Sequence, residues 1–136
     1  HLHSFEIHGQ SYGVRAQFGE DWGDFNMRDE RRVHLERDLR KGDLFTYTYD
    51  FGDNWLVELR VLDVRPAQSR ARPCCLAGQR SGPPEDSGGT RGYQEMLEAL
   101  ADPSHPQHDE LSEWVGPDFD PERFDLEGVN RGLAKL

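Results

Sequence analysis

Four carboxylates are the residues best suited to chemistry: Asp50 and Asp53 on either side of Phe51-Gly52, and the adjacent Glu85-Asp86 within Pro83-Pro84-Glu85-Asp86-Ser87-Gly88-Gly89. A carboxylate pair around a turn offers hard oxygen ligands to a divalent cation. A loop stiffened by two prolines can line a cleft with acids that act as ligands or proton acceptors. The plainer reading gives Asp50 and Asp53 to the turn amides, and Glu85 and Asp86 to the positive end of the helix that follows. Asp50-Phe51-Gly52 spells the magnesium triplet of kinases, but no glycine-rich loop, strand lysine or catalytic loop accompanies it, so kinase chemistry is set aside.

His1-Leu2-His3 places two imidazoles on the same side of an extended segment, a spacing that metals use. His1 and His3, with Asp50 and Asp53, are therefore the candidate metal ligands. The tight Cys/His pairs that announce zinc are missing, so structural roles for the histidines outweigh ligation. Cys74 and Cys75 are adjacent and are the only cysteines. A bridge between neighbours strains the peptide that joins them, so reduced thiols and a cytoplasmic setting are expected. Neither Ser87 nor Cys74 has a base at a recognisable spacing, which leaves a nucleophilic enzyme unsupported. Trp22, Trp55, Trp114, Phe119 and Tyr93 are read as core, with Trp55 and Tyr93 as candidate pocket aromatics.

The elements that must position these residues are readable in places. Ser4 to Ile7 and Ser11 to Val14 alternate around His8-Gly9-Gln10 and predict a short hairpin. Residues 16–42 are polar and irregular, with one brief strand expected at Arg32-Val33-His34-Leu35. Leu44 to Tyr49 alternates at period two and sets Phe45, Tyr47 and Tyr49 on one face. A second strand is expected from Trp55 to Val64, and Phe51-Gly52-Asp53-Asn54 between them tolerates the positive φ of a tight turn. Residues 66–90 form a long loop rich in Pro, Gly, Ser and Arg. Tyr93, Met96, Leu97 and Leu100 predict a helix over 92–101, with Thr90 as its cap and Asp102-Pro103 as its end. A second helix is expected over 109–115 and one or two more over 121–136, started by Asp120-Pro121-Glu122. Strands first and helices last imply an α+β fold: an antiparallel or mixed sheet with the C-terminal helices on one face.

At 136 residues, the chain reads as a single domain. Apolar residues make up 35% and charged ones 31%, so the core is expected to be small. No apolar run approaches the roughly 18 residues of a membrane span, and no leader pattern opens the chain. The start at His1 reads as that of a trimmed or partly ordered product. With 26 acidic residues against 16 basic, the net charge is −10, which repels phosphate backbones at long range. The arginine-bearing stretches 28–40 and 65–80 mix signs and read as solvated surface.

The motifs together resemble the plasmid pRiA4b ORF-3-like family, also described as insertion-element passenger proteins with a TnpR-like label. The likeness rests on His1-Leu2-His3-Ser4-Phe5 with Tyr12-Gly13, then on Tyr49-Asp50-Phe51-Gly52-Asp53-Asn54-Trp55. It continues through Cys75-Leu76-Ala77-Gly78 to Pro83-Pro84-Glu85-Asp86-Ser87-Gly88-Gly89-Thr90-Arg91-Gly92-Tyr93. It ends on Asp118-Phe119-Asp120-Pro121-Glu122-Arg123-Phe124-Asp125 and Val129-Asn130. The resemblance implies an α+β domain of mostly prokaryotic, mobile-element origin, with no catalytic residue assigned. It also implies a strand and helix ahead of the His-Leu-His motif, a segment expected to be missing from the domain as it stands here. The label suggests a resolvase, but no serine-recombinase pattern and no basic recognition helix are present.

The expectation drawn from these readings is a non-enzymatic binding or accessory module of plasmids or mobile elements. Its acidic surface would meet a protein partner or a second copy, with no cofactor. The first rival is a carboxylate-metal-dependent hydrolase or nuclease that holds a divalent cation on Asp50, Asp53, Glu85 and Asp86. The second is a DNA-binding accessory protein.

Overall fold

A computed structural model describes residues 1–14, 26–66 and 72–136; Trp22 lies outside them. The chain divides into two compact units, His1–Pro66 and Ala67–Leu136. The fold is α+β, with a five-stranded mixed sheet ahead of three of the four α-helices. Among the described residues, no helix is long and apolar enough to cross a membrane.

In the first unit, β1 (His3–Ile7) and β2 (Gln10–Gly13) form the expected hairpin. His8 and Gly9 join them, both at positive φ (51° and 75°), which matches the right-handed twist of the strands. β3 (Met27–Asp29) runs parallel to β2. A 3₁₀ turn follows at Glu30–Arg32 and a short helix, α1, at Leu35–Asp38. The brief strand expected at 32–35 is therefore replaced by a helical turn, because the Asp29 carboxylate accepts the Arg31 amide (3.2 Å) and winds the chain.

β4 (Leu44–Tyr49) and β5 (Trp55–Arg60) complete the sheet in the order β3-β2-β1-β4-β5. β5 stops at Arg60 rather than Val64 because its partner β4 runs out: the last pair is Leu44 with Arg60. Ile7, Tyr12 and Leu39 make the core, with Phe5, Val33, Phe45 and Val61 packed against them. Full burial of one such side chain is worth about 2 kcal/mol, so this core is a modest one.

The second unit carries α2 (Gly89–Ala101), α3 (His108–Val115) and α4 (Leu126–Leu133). α2 begins three residues earlier than Gly92, and Thr90 sits within its first turn. Gly88 and Gly89, at φ 79° and 68°, bend the chain into the helix without a capping side chain. No helix starts at Pro121. The Asp120 carboxylate is taken by the Glu122 amide (2.9 Å), and the Pro121 carbonyl by the Ser81 amide (3.0 Å). The helix waits for Asp125, whose side chain caps it through the Gly128 amide (2.8 Å).

Candidate functional site

Sheet register assembles the first cluster. His3 pairs with Tyr49 and Phe5 with Tyr47 across β1 and β4, so alternate residues of both strands share one face. The Phe5 and Tyr47 rings lie 4.7 Å apart, His3 lies 5.9 Å from Tyr47, and His1 lies 5.4 Å from Tyr49. Each imidazole meets a carboxylate. His1 Nδ1 is 2.8 Å from Asp50 Oδ2, and His3 Nε2 is 3.1 Å from both oxygens of Glu30. Burial raises the Tyr47 phenol above its ordinary value, and the Glu30 carboxylate adds to the shift.

Asp50 both builds the turn and partners an imidazole. Its Oδ1 accepts the Gly52 amide (2.9 Å) and its carbonyl accepts the Asn54 amide (2.5 Å), closing the hairpin. The positive φ values fall on Asp50 (50°) and Asn54 (55°), whereas Gly52 is not left-handed. Asp53 is half-buried in the same turn, and Trp55 opens β5 opposite Tyr49.

In the second unit, Glu85 and Asp86 are exposed in the turn before α2, and Asp86 has φ 57°. Ser87 follows and is buried. Its carbonyl packs on Gly92, where a Cβ would come within 2.2 Å of the oxygen. Tyr93 is half-buried on α2. A cavity of about 550 Å³ lies along α2 and α3, lined by Asp86, Ser87, Glu95, Met96, Glu110 and Trp114 among others. The segment ahead of this turn is clamped to the C-terminal residues. Asn130 accepts the Cys75 amide (2.8 Å) and donates to the Cys75 carbonyl (3.0 Å), and Gly78 lies flat against the Phe124 ring. Ser81 Oγ donates to backbone carbonyls of Asp120 and Arg123 (2.6 and 2.8 Å).

Asp50 and Asp53 therefore share one turn, and Glu85 and Asp86 share another in the other unit. Of the two candidate ligand histidines, His1 meets Asp50, while His3 meets Glu30, which sequence reasoning passed over. Glu30 lies in the polar stretch 16–42, and only the parallel β2–β3 pairing delivers it to His3; no periodic signal marks it. Trp114, read as core, is 49% exposed and lines the cavity. Its spacing from Glu110 and Leu111, at i+4 and i+3, puts it on their helical face.

These features define an α+β protein whose motif residues pair across strands and clamp loops. The chain belongs to the plasmid pRiA4b ORF-3-like protein family, matched over residues 1–128. It is 37% identical to the uncharacterized protein y4hQ of Sinorhizobium fredii over 139 aligned residues, covering all of this chain and 70% of that protein. A crystal structure of a protein of unknown function from Methanosarcina mazei, MM3350, superposes with a TM-score of 0.79 at 38% identity. That match covers 94% of this chain and 72% of the other.

Proposed function

We propose that this protein is a non-enzymatic protein-binding module serving plasmids or mobile elements, and that it takes an extended segment of a basic protein partner along β5. The observation that carries the reading is the edge itself. β5 ends the sheet order, and among the described residues no further strand pairs with it. It nevertheless exposes Leu56 (64%) and Val57 (45%), and Leu62 and Val64 continue the apolar run beyond it. Edge strands that stay alone are normally blunted by charge, proline or a bulge. A six-residue edge strand that carries charge only at Glu58 and Arg60 and leaves Trp55, Leu56 and Val57 without it is suited to strand addition, in which main-chain hydrogen bonds give affinity and alternate side chains give selectivity.

Charge selects the occupant. A net charge of −10 attracts a segment flanked by lysine or arginine, and it opposes both nucleic acid and a second copy. The family's plasmid association supports the setting. The engagement of Asp50 and Glu30 by their histidines favours a structural use of those acids over a catalytic one.

The test is fluorescence anisotropy with a labelled alternating Val/Thr peptide flanked by lysines, beside the same peptide flanked by glutamates. The lysine form is expected to bind in a salt-sensitive way, and Leu56→Lys/Val57→Lys is expected to weaken it about tenfold or more. Equal binding by that variant overturns the reading. So does a concentration-dependent dimer that the variant abolishes, since it would give the edge to a second copy. Calorimetric Mn²⁺ binding lost in Asp53→Ala would support the metal-dependent rival instead.

A further inference from the structure

The α2–α3 cavity lies wholly within the second unit and is independent of β5. α2 contributes Glu95 and Met96 at consecutive positions, one turn beyond Gly92. α3 contributes Glu110, Leu111, Glu113 and Trp114, which fall on one helical face. His108 Nδ1, 3.1 Å from the Ala99 carbonyl, ties the two helices together beside it. Met96 is 4% exposed and forms an apolar floor, Trp114 presents a half-exposed indole, and carboxylates stand around both. About 550 Å³ is enough for a side chain or small ligand.

The electrostatics have one sign. Glu95 already holds the Arg91 guanidinium at 2.8 Å. Among the described residues, no basic side chain forms an ion pair with Asp86, Glu110 or Glu113. The N-terminus of α2 carries only about half a positive charge, far less than the four carboxylates lining the cavity, so an anion is disfavoured.

Ser87 is an independent feature of the same cavity. It lines the wall, is 9% exposed, and its hydroxyl is buried without a hydrogen-bond partner. A buried polar group left unsatisfied is destabilising, and a ligand N–H donor would remove that cost. An indole face, surrounding carboxylates and a buried oxygen acceptor together match the needs of a cation that carries N–H donors on an apolar stem.

We infer that the α2–α3 cavity is a binding site for an organic cation, an alkylammonium or guanidinium group, held over Trp114 by Glu110, Glu113 and Asp86 with the Ser87 hydroxyl as acceptor. The group has two natural sources: a free amine, or a lysine or arginine side chain of a protein.

The experiment follows the Trp114 indole N–H resonance, assigned with Trp114→Phe, during titration with n-butylguanidinium and n-butylammonium chloride. Saturable shifts are expected, weakened about tenfold in Glu110→Gln/Glu113→Gln and several-fold by salt near 0.5 M. N-acetyl-arginine methylamide separates the sources, since binding at least as tight as n-butylguanidinium assigns the site to a protein side chain and its exclusion assigns it to a free amine. n-Butanol is the neutral control. Equal shifts with n-butanol, or none with either cation, overturn the proposal. Ser87→Ala is expected to keep or raise the melting temperature while weakening the cations several-fold, because it deletes an unsatisfied group in the empty cavity; unchanged affinity removes Ser87 from the site. Leu56→Lys/Val57→Lys leaves these titrations unchanged, so failure of the β5 reading is separable from failure of this one.

Discussion

The two units position their side chains by opposite means. In His1–Pro66, a hydrogen-bonded ladder sets His3 against Tyr49 and Phe5 against Tyr47, and each placement is repeated by its neighbours along the strands. In Ala67–Leu136, the segment from Cys75 to Ser87 has no regular structure. It is fixed by single contacts: Asn130 on Cys75, Phe124 on Gly78, Ser81 on Asp120 and Arg123, and Gly92 beneath Ser87. A ladder spreads its constraint over many weak bonds, whereas a clamp concentrates it in one residue. Single substitutions should therefore do more damage in the second unit, even though both units present their candidate residues in turns.

Two glycines give the sharpest contrast. At Gly92 a new Cβ meets the Ser87 carbonyl oxygen at 2.2 Å and its carbon at 3.1 Å, and backbone cannot swing aside as a side chain can. Gly92→Ala is expected to cost about 3 kcal/mol, at the upper end of overpacking. At Gly52 the same Cβ meets only the Asp50 Oδ1 at 3.2 Å, the end of a movable side chain. Gly52→Ala should stay within about 1 kcal/mol of the parent. Urea unfolding of both variants decides the matter, and equal losses would show that the Ser87 turn yields as readily as the hairpin.

Asn130→Ala and Asp50→Ala compare a clamp with a turn contact, at smaller amplitude. Asn130 satisfies both the N–H and the C=O of Cys75 from 55 residues away, and both bonds are partly buried. Its loss is expected to cost about 2 kcal/mol and to speed the reaction of the Cys75 thiol with a disulfide reagent. Asp50→Ala loses the Gly52 amide and the His1 imidazole, but the six pairs of the β4–β5 ladder remain. About 1 kcal/mol is expected there, because water can take over an exposed amide. If Asp50→Ala proves the more damaging, the hairpin turn is itself a clamp and the contrast between the units weakens.

The same difference governs what could be read from the chain. Leu44 to Tyr49 and Trp55 to Arg60 were legible because alternation at period two is local, and α2 and α3 because Tyr93, Met96, Leu97, Leu111 and Trp114 keep helical spacing. The Glu30–His3 pair was not, since it depends on a parallel pairing of β2 with β3, which lies in a polar stretch without an apolar pattern. Nor was the Asn130–Cys75 clamp: Asn130 and Cys75 stood among the motif residues, but nothing local says that one holds the other. Asp120-Pro121 carried a proper helix-start signal, yet the Ser81 amide competed for the Pro121 carbonyl and the chain turned instead. In the candidate site, residue types were readable and their partners were not, because partners are set by tertiary contacts.

The smallest effect separates the units by the kind of partner that a carboxylate finds. Asp29 in the first unit is held below the ordinary 3.8 chiefly by hydrogen bonds from the Arg31 guanidinium, while partial burial opposes the shift. Asp102 in the second is held below it chiefly by the Ser104 hydroxyl and amide, at 2.7 and 2.9 Å. For both, the folded chain binds its proton less readily than the unfolded one. Each therefore contributes stability above pH 3.8, and loses it as the pH falls below 3.8 through the folded value. Salt distinguishes them. An exposed ion pair is screened at about 1 M salt, whereas hydrogen bonds from a neutral serine are not. A carboxyl NMR titration at low and high salt should move Asp29 back toward 3.8 and leave Asp102 nearly still, and Ser104→Ala should release Asp102 alone. If salt moves both together, the histidines facing Asp102, His105 and His108, outweigh Ser104, and the second unit relies on charge here as the first does.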